Sequence, residues 1–209
     1  MDTEERFHNL CKTIEAKGDI NSFYQELVKH YSEPHRKYHN MDHIAQCLSE
    51  FDEVKDTTKY TSELEFALFY HDMIYDVFRK DNEEQSAEFA FQIGKRMALP
   101  ETFREVVHDL ILITEHYPGI YSPDAKIIAD IDLSILGKSP EEFDEYERKI
   151  KEEYAEWIKE FSENAFKNER VNVLAGFLSR RIYQTDYFYN KYEEQARKNL
   201  KRSIDGLGV

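Results

Sequence analysis

Glycine and proline are scarce in this 209-residue chain, at seven and five, which leaves little material for the turns of a sheet and biases the reading to helix. The two cysteines, Cys11 and Cys47, have neither the number of a disulfide framework nor the spacing of a zinc ribbon. Both read as reduced thiols of a cytosolic protein. Basic residues are too few to balance the acids, 28 against 42, and a formal charge of −14 argues against nucleic acid as a bulk partner. A small anionic substrate stays compatible if its pocket is locally positive or holds a cation. No window approaches the ~20 apolar residues of a membrane span. The start, Met1-Asp-Thr-Glu-Glu-Arg, has no apolar segment behind it, so no signal peptide is expected and the cytoplasm follows.

Aromatics are abundant, with 14 Tyr and 14 Phe, and hydrophobics make up 41% against 33% charged residues. That balance suits a soluble globular protein with an aromatic interior, and the length suits one core. The periodicity predicts amphipathic helices over 3–17 and 20–32, ended by Pro34. Asn40 is a candidate N-cap for a helix carrying His43, Ile44, Cys47, Leu48 and Phe51. Further helices are expected at 61–76, from Asp81-Asn82 through Met97, and at 101–115, followed by a loop from Tyr117 to Pro123. Residues 127–136 form an apolar run that Gly137 ends. Ser139-Pro140-Glu141-Glu142 opens a long helix over 141–163, and helices at 164–183 and 186–204 complete the chain.

Against this background a few polar residues stand out. His71 and Asp72 lie side by side in Phe66-Ala-Leu-Phe-Tyr-His-Asp-Met-Ile-Tyr-Asp76, a run otherwise dominated by apolar and aromatic residues. Two groups that are costly to bury unpaired need a reason to be there. A cation supplies one, because imidazole nitrogen and carboxylate oxygen can each give it a lone pair. Asp130 and Asp132 sit in the second core-like run, and His39, His43 and His116 lie at or beside predicted helix edges. His39 precedes His43 by four residues, so the two share a face if that helix extends back far enough.

The order His, then His-Asp, then Asp resembles the HD-domain superfamily of metal-dependent phosphohydrolases. The wider spelling, Arg36-Lys-Tyr-His39-Asn-Met-Asp-His43-Ile, Phe69-Tyr-His71-Asp72-Met-Ile-Tyr-Asp76, Asn82-Glu-Glu-Gln-Ser86-Ala, Ile113-Thr-Glu-His116 and Asp130-Ile-Asp132-Leu-Ser-Ile-Leu-Gly137, is similar to a group described as predicted metal-dependent HD phosphohydrolases. The resemblance covers roughly residues 30–200. It implies an all-α HD bundle forming one domain over 1–209, with a metal-binding core about 30–137 and additional C-terminal helices about 139–204. It also implies His43, His71, Asp72 and Asp132 as ligands of a divalent ion, with Asp130 the alternative to Asp132. A mixed nitrogen and oxygen set admits Mn, Fe, Co, Ni or Zn, and Mg stays in play.

The activity implied is hydrolysis of a small phosphoester, a nucleotide among the candidates, by a metal-activated water. Asp72 would serve the chemistry as well as the ion. Asp76, one turn further along the expected helix, is the acid or base candidate, with helix capping the competing reading. In the HD enzymes that hydrolyse an alarmone the pair is followed by Glu-Asp, and Tyr75 here occupies the Glu position, which argues against that substrate. His39 and His116, with Asp130, are candidates for a second ion or the substrate phosphate. Arg36 is the first choice for phosphate binding, ahead of Lys126 and Arg181, with support of a ligand carboxylate as its other reading. Asn82, Glu83 and Ser86 would frame the pocket mouth or simply cap a helix. Two further readings stay open: a di-iron oxygenase of HD type and a non-catalytic nucleotide sensor. No nucleic acid or membrane partner is expected, and self-association as a homodimer is left open.

Overall fold

Helices account for every regular element that the computed structural model places among the described residues, which are 2–116, 119 and 121–208. The expected all-α class is what the chain adopts. It divides into two compact units, Met1–Ile128 and Ala129–Val209.

The first unit contains α1 (Thr3–Thr13), α2 (Ile20–Tyr31), α3 (Met41–Asp52), α4 (Thr61–Tyr70), α5 (Asn82–Arg96), α6 (Glu101–Leu112) and the first part of α7 (Pro123–Asp132). Short polar side chains start the early helices: Asp2 and Asp19 accept from the N–H groups of Glu5 and Ser22, and Asn40 accepts from those of Asp42 and His43. α4 is the centre of this unit. Leu64, Phe66, Ala67, Leu68, Phe69 and Tyr70 are all buried, the pattern of a helix wrapped on every side, and α1, α3, α5 and α6 each pack against it. Phe7 of α1 meets Phe69 edge to face at 5.2 Å, and Phe66 meets Phe103 of α6 in the same way at 5.6 Å. Arg6 ties α1 to its neighbours, with Nε donating to Glu65 at 2.6 Å and Nη1 to Asp52 at 2.7 Å.

In the second unit the end of α7 leads through a 3₁₀ segment, Leu133–Gly137, to α8 (Pro140–Glu153), α9 (Ala155–Glu160), α10 (Glu163–Leu178) and α11 (Asp186–Leu207). Ser139 and Glu142 form the expected capping box at the start of α8. α11 packs on the 3₁₀ segment so closely that a Cβ on Gly137 would overlap Tyr192. Asn199 of α11 donates to the carbonyls of Leu136 and Lys138, both at 2.9 Å, which satisfies the end of that segment.

α1 ends at Thr13 and α10 at Leu178, short of the expected 17 and 183, and three further boundaries differ from the sequence reading. The long helix expected over 141–163 breaks at Tyr154, where φ −82° and ψ 8° leave the helical region. The bend brings the Tyr154 ring to 5.4 Å from Phe166 and 6.2 Å from Trp157, so the apolar stripe continues across two shorter helices. Pro123 belongs to α7 as its first residue, where a missing N–H costs nothing. The other prolyl residue of the expected loop, with Tyr117 and Ile120, lies outside the described residues. The third difference, the early end of α4, shapes the site.

Candidate metal centre

α4 was expected to run to Asp76, and it stops at Tyr70. His71 is its C-cap, and Asp72 lies in the turn that follows. The last carbonyls of a helix need donors from elsewhere, and side chains supply them here. Tyr31 Oη donates to the Phe69 carbonyl at 3.0 Å, and His71 Nδ1 meets the Leu68 carbonyl at 3.0 Å. A carbonyl only accepts, so the Nδ1 of His71 carries a proton, and with the ring neutral its Nε2 would offer a lone pair.

That Nε2 faces the first turn of α3. His43 Nε2 lies 3.1 Å from His71 Nε2, and Asp72 Oδ2 lies 3.1 Å from His71 Nε2 and 3.4 Å from His43 Nε2. Both imidazoles are buried, at 2% and 1% exposure. Asp72 Oδ2 is buried with no hydrogen-bond partner among the described residues. A cation placed among them would take a lone pair from all three atoms at once. Adjacent ligands at about 2.1 Å from one ion stand roughly 3.0 Å apart in octahedral and roughly 3.4 Å apart in tetrahedral coordination. The observed triangle fits that range. Burial by itself raises the pKa of Asp72, but the imidazoles of His71, His39 and His43 outweigh it and hold the carboxyl well below the usual carboxylate range.

Cys47 is the functional candidate that the sequence reading left in the core. Its Sγ lies 3.6 Å from His43 Nε2, and it belongs with His43 and His71 to a group whose ligand atoms fall within 4.8 Å of one another. This buried cluster of His, Cys and Asp side chains could hold a metal ion. The available signal was the spacing, one helical turn after His43, but the same position fits the apolar stripe of Ile44, Leu48 and Phe51.

The segment after Asp72 is held by side chains expected to meet substrate. Asn82 accepts from the Asp76 N–H at 3.1 Å and donates to the Asp76 carbonyl at 3.0 Å, a two-point clamp. Ser86 accepts from the Ile74 N–H at 3.0 Å. Asp76 is not one turn beyond Asp72 on a helix; it is exposed, and its Oδ1 accepts from the Phe78 N–H at 2.9 Å in an Asx turn. Glu83 is half-buried in the first turn of α5. The Arg36 side chain has no exposed surface with which to meet a phosphate. Its Nη1 donates to the carbonyls of Asp72 at 2.6 Å and His39 at 3.2 Å, and Nη2 donates to that of Met73 at 2.9 Å.

His39 precedes the cap of α3, so the shared helical face with His43 does not form; its ring stacks on Tyr75 at 4.1 Å. His116 ends the 3₁₀ turn after α6 in the left-handed region, at φ 59°. In the second unit, both oxygens of Asp130 are engaged: Oδ1 by the Gln184 N–H at 2.7 Å, and Oδ2 by the N–H and hydroxyl of Thr185, each at 2.7 Å. Asp130 therefore anchors the loop before α11. Arg181 serves the same loop, donating to the Tyr183 carbonyl at 2.8 Å and to Asp186 at 2.8 Å. Asp132 is the last residue of α7 and is half-buried. No described helix is long and apolar enough to cross a membrane. Comparisons of the chain with protein-family models, with curated proteins and with solved structures find no match.

Proposed function

We propose that the chain is a metal-dependent phosphohydrolase acting on a nucleotide or another small phosphoester. One observation carries the reading: two imidazole nitrogens and an otherwise orphaned carboxylate oxygen converge within 3.4 Å in a buried site. The order of His43, His71-Asp72 and Asp132, which resembles the HD pattern, supports it. In this reading His43, His71 and Asp72 hold the ion, Asp132 supplies the remaining carboxylate, and Cys47 stands beside the set as a soft donor.

A divalent ion in such a site supplies a Lewis acid for phosphoryl oxygens and brings the pKa of a bound water toward ~7. The protein's part is arrangement. The Leu68 carbonyl keeps the His71 proton on Nδ1, so the ring is oriented and its other nitrogen stays available. A net charge of −14 would repel an anionic substrate, and a cation at this point offsets that repulsion where the substrate binds. Of the residues considered for a second ion, Asp130 is committed to its loop.

The test is a screen of phosphomonoesters and phosphodiesters with protein loaded with manganese or cobalt. Product release that disappears in Asp72→Asn is expected. A screen that stays silent while the ion is bound at stoichiometry rejects the proposal.

A further inference from the structure

We infer that Arg36 is a positioning residue that fixes the ligand carboxylate of Asp72 through the backbone, and that ion affinity depends on its planar fork. The inference rests on the metal-site reading above. Arg36 lies in the connection between α2 and α3, and Asp72 follows the end of α4, so nothing in their local sequence brings them together.

The backbone after Tyr70 has left the helix, and its carbonyls have no intrahelical donors. Arg36 reaches two of them in succession, at Asp72 and Met73, with different nitrogens. Nη1 also holds the His39 carbonyl, immediately before the residue that caps α3. One guanidinium thus ties the turn bearing Asp72 to the start of the helix bearing His43. Nε donates to Glu33 at 3.0 Å, and the group lies over the rings of Tyr31 and Tyr75, at 5.2 and 5.6 Å from their centres.

Burial of a cation this completely calls for strong compensation. Its carboxylate partner, Glu33, is 38% exposed, so much of the compensation comes from three main-chain carbonyls and two aromatic faces. A lysine ammonium is a point charge and cannot match the fork that reaches two successive carbonyls and the aromatic faces at once. The arrangement therefore requires arginine, and the placement of the Asp72 carboxylate against the two imidazoles inherits that requirement.

The experiment measures cobalt(II) binding to the full chain by its visible spectrum, in wild type, Arg36→Lys and Arg36→Ala, with circular dichroism as the check on folding. Both variants are expected to keep their helix content, to bind cobalt about 10–100-fold more weakly and to show an altered ligand-field band. Added guanidinium ion, far below unfolding concentrations, is expected to restore the Arg36→Ala band, and ammonium is not. A folded Arg36→Ala that binds cobalt as tightly as wild type, with an unchanged band, overturns the inference. Wild type that binds no cobalt overturns the metal-site reading itself. Should both variants unfold, nitrogen NMR of wild type decides: resolved, slowly exchanging Arg36 Nη protons that shift on zinc loading support the inference, and fast exchange indifferent to zinc refutes it.

Discussion

His71 Nε2 stands 3.1 Å from Asp72 Oδ2, although the two residues are chain neighbours whose side chains a continuing helix would send about 100° apart. The end of α4 at Tyr70 makes this contact available.

Removing the carboxylate charge should uncouple stability from metal. A ligand that binds only the folded state stabilises it by about 2.7 kcal/mol at a hundredfold excess over its dissociation constant. Wild type should therefore melt higher with added cobalt or zinc and lower with a chelator, while Asp72→Asn should show the same melting point in both. Differential scanning calorimetry with and without the ion reads this directly, and equal metal shifts in the two proteins would contradict the assignment of Asp72.

The two aspartates of the second run should behave in opposite ways. Asp130→Ala strands the two N–H groups and the hydroxyl that it accepts, and is expected to destabilise the second unit by about 2 kcal/mol or more. Asp132→Ala is expected to weaken metal binding, which Asp130→Ala should not. Unfolding curves beside metal titrations separate the two effects.

Asn82→Ala and Ser86→Ala each remove a clamp on the segment 74–76. A loss of about 1–2 kcal/mol is expected for each, with stoichiometric metal binding retained, because neither side chain reaches the ion. Loss of all bound metal in either variant would show a closer role.

Burial pushes the Cys11 thiol up from 9.0 to about 12. A raised folded value means that this contribution to stability is complete below pH 9 and is lost as the pH climbs toward 12. Wild type should lose stability relative to Cys11→Ala across that window, at a slope approaching ~1.4 kcal/mol per pH unit. Native Cys11 should also resist iodoacetamide at pH near 8 and react once the chain is unfolded, which peptide mapping can follow.

Much of the fold was legible because local signals and burial agree. Asn40 reads as a cap and is one; α4 reads as apolar on all sides and is wrapped by its neighbours; His71-Asp72 stands out in its run because burying the pair needs a compensating partner. The signals failed where the partner is remote in sequence. Nothing near Asp72 announces that Arg36 will take its carbonyl, and nothing near Asp76 announces the Asn82 clamp, so the sequence alone carries the helix past Tyr70 and leaves Arg36 between a phosphate and a ligand carboxylate, and Asn82 between a pocket mouth and a helix cap. Cys47 was hidden for another reason: a thiol on an apolar stripe looks the same whether or not it borders an ion. Tyr154 lies on an unbroken stripe of threes and fours, and only the ring packing against Phe166 marks the bend there.

The central claim is that His43, His71 and Asp72 share one cation, and elemental analysis of the full chain tests it most directly. After exposure to manganese, iron, cobalt, nickel and zinc and removal of loosely bound ions, wild type is predicted to retain about one divalent ion per chain at this site, and folded His71→Ala none. Wild type that is folded yet retains no ion from any of these metals, or a His71→Ala variant that retains it at full stoichiometry, would contradict the account.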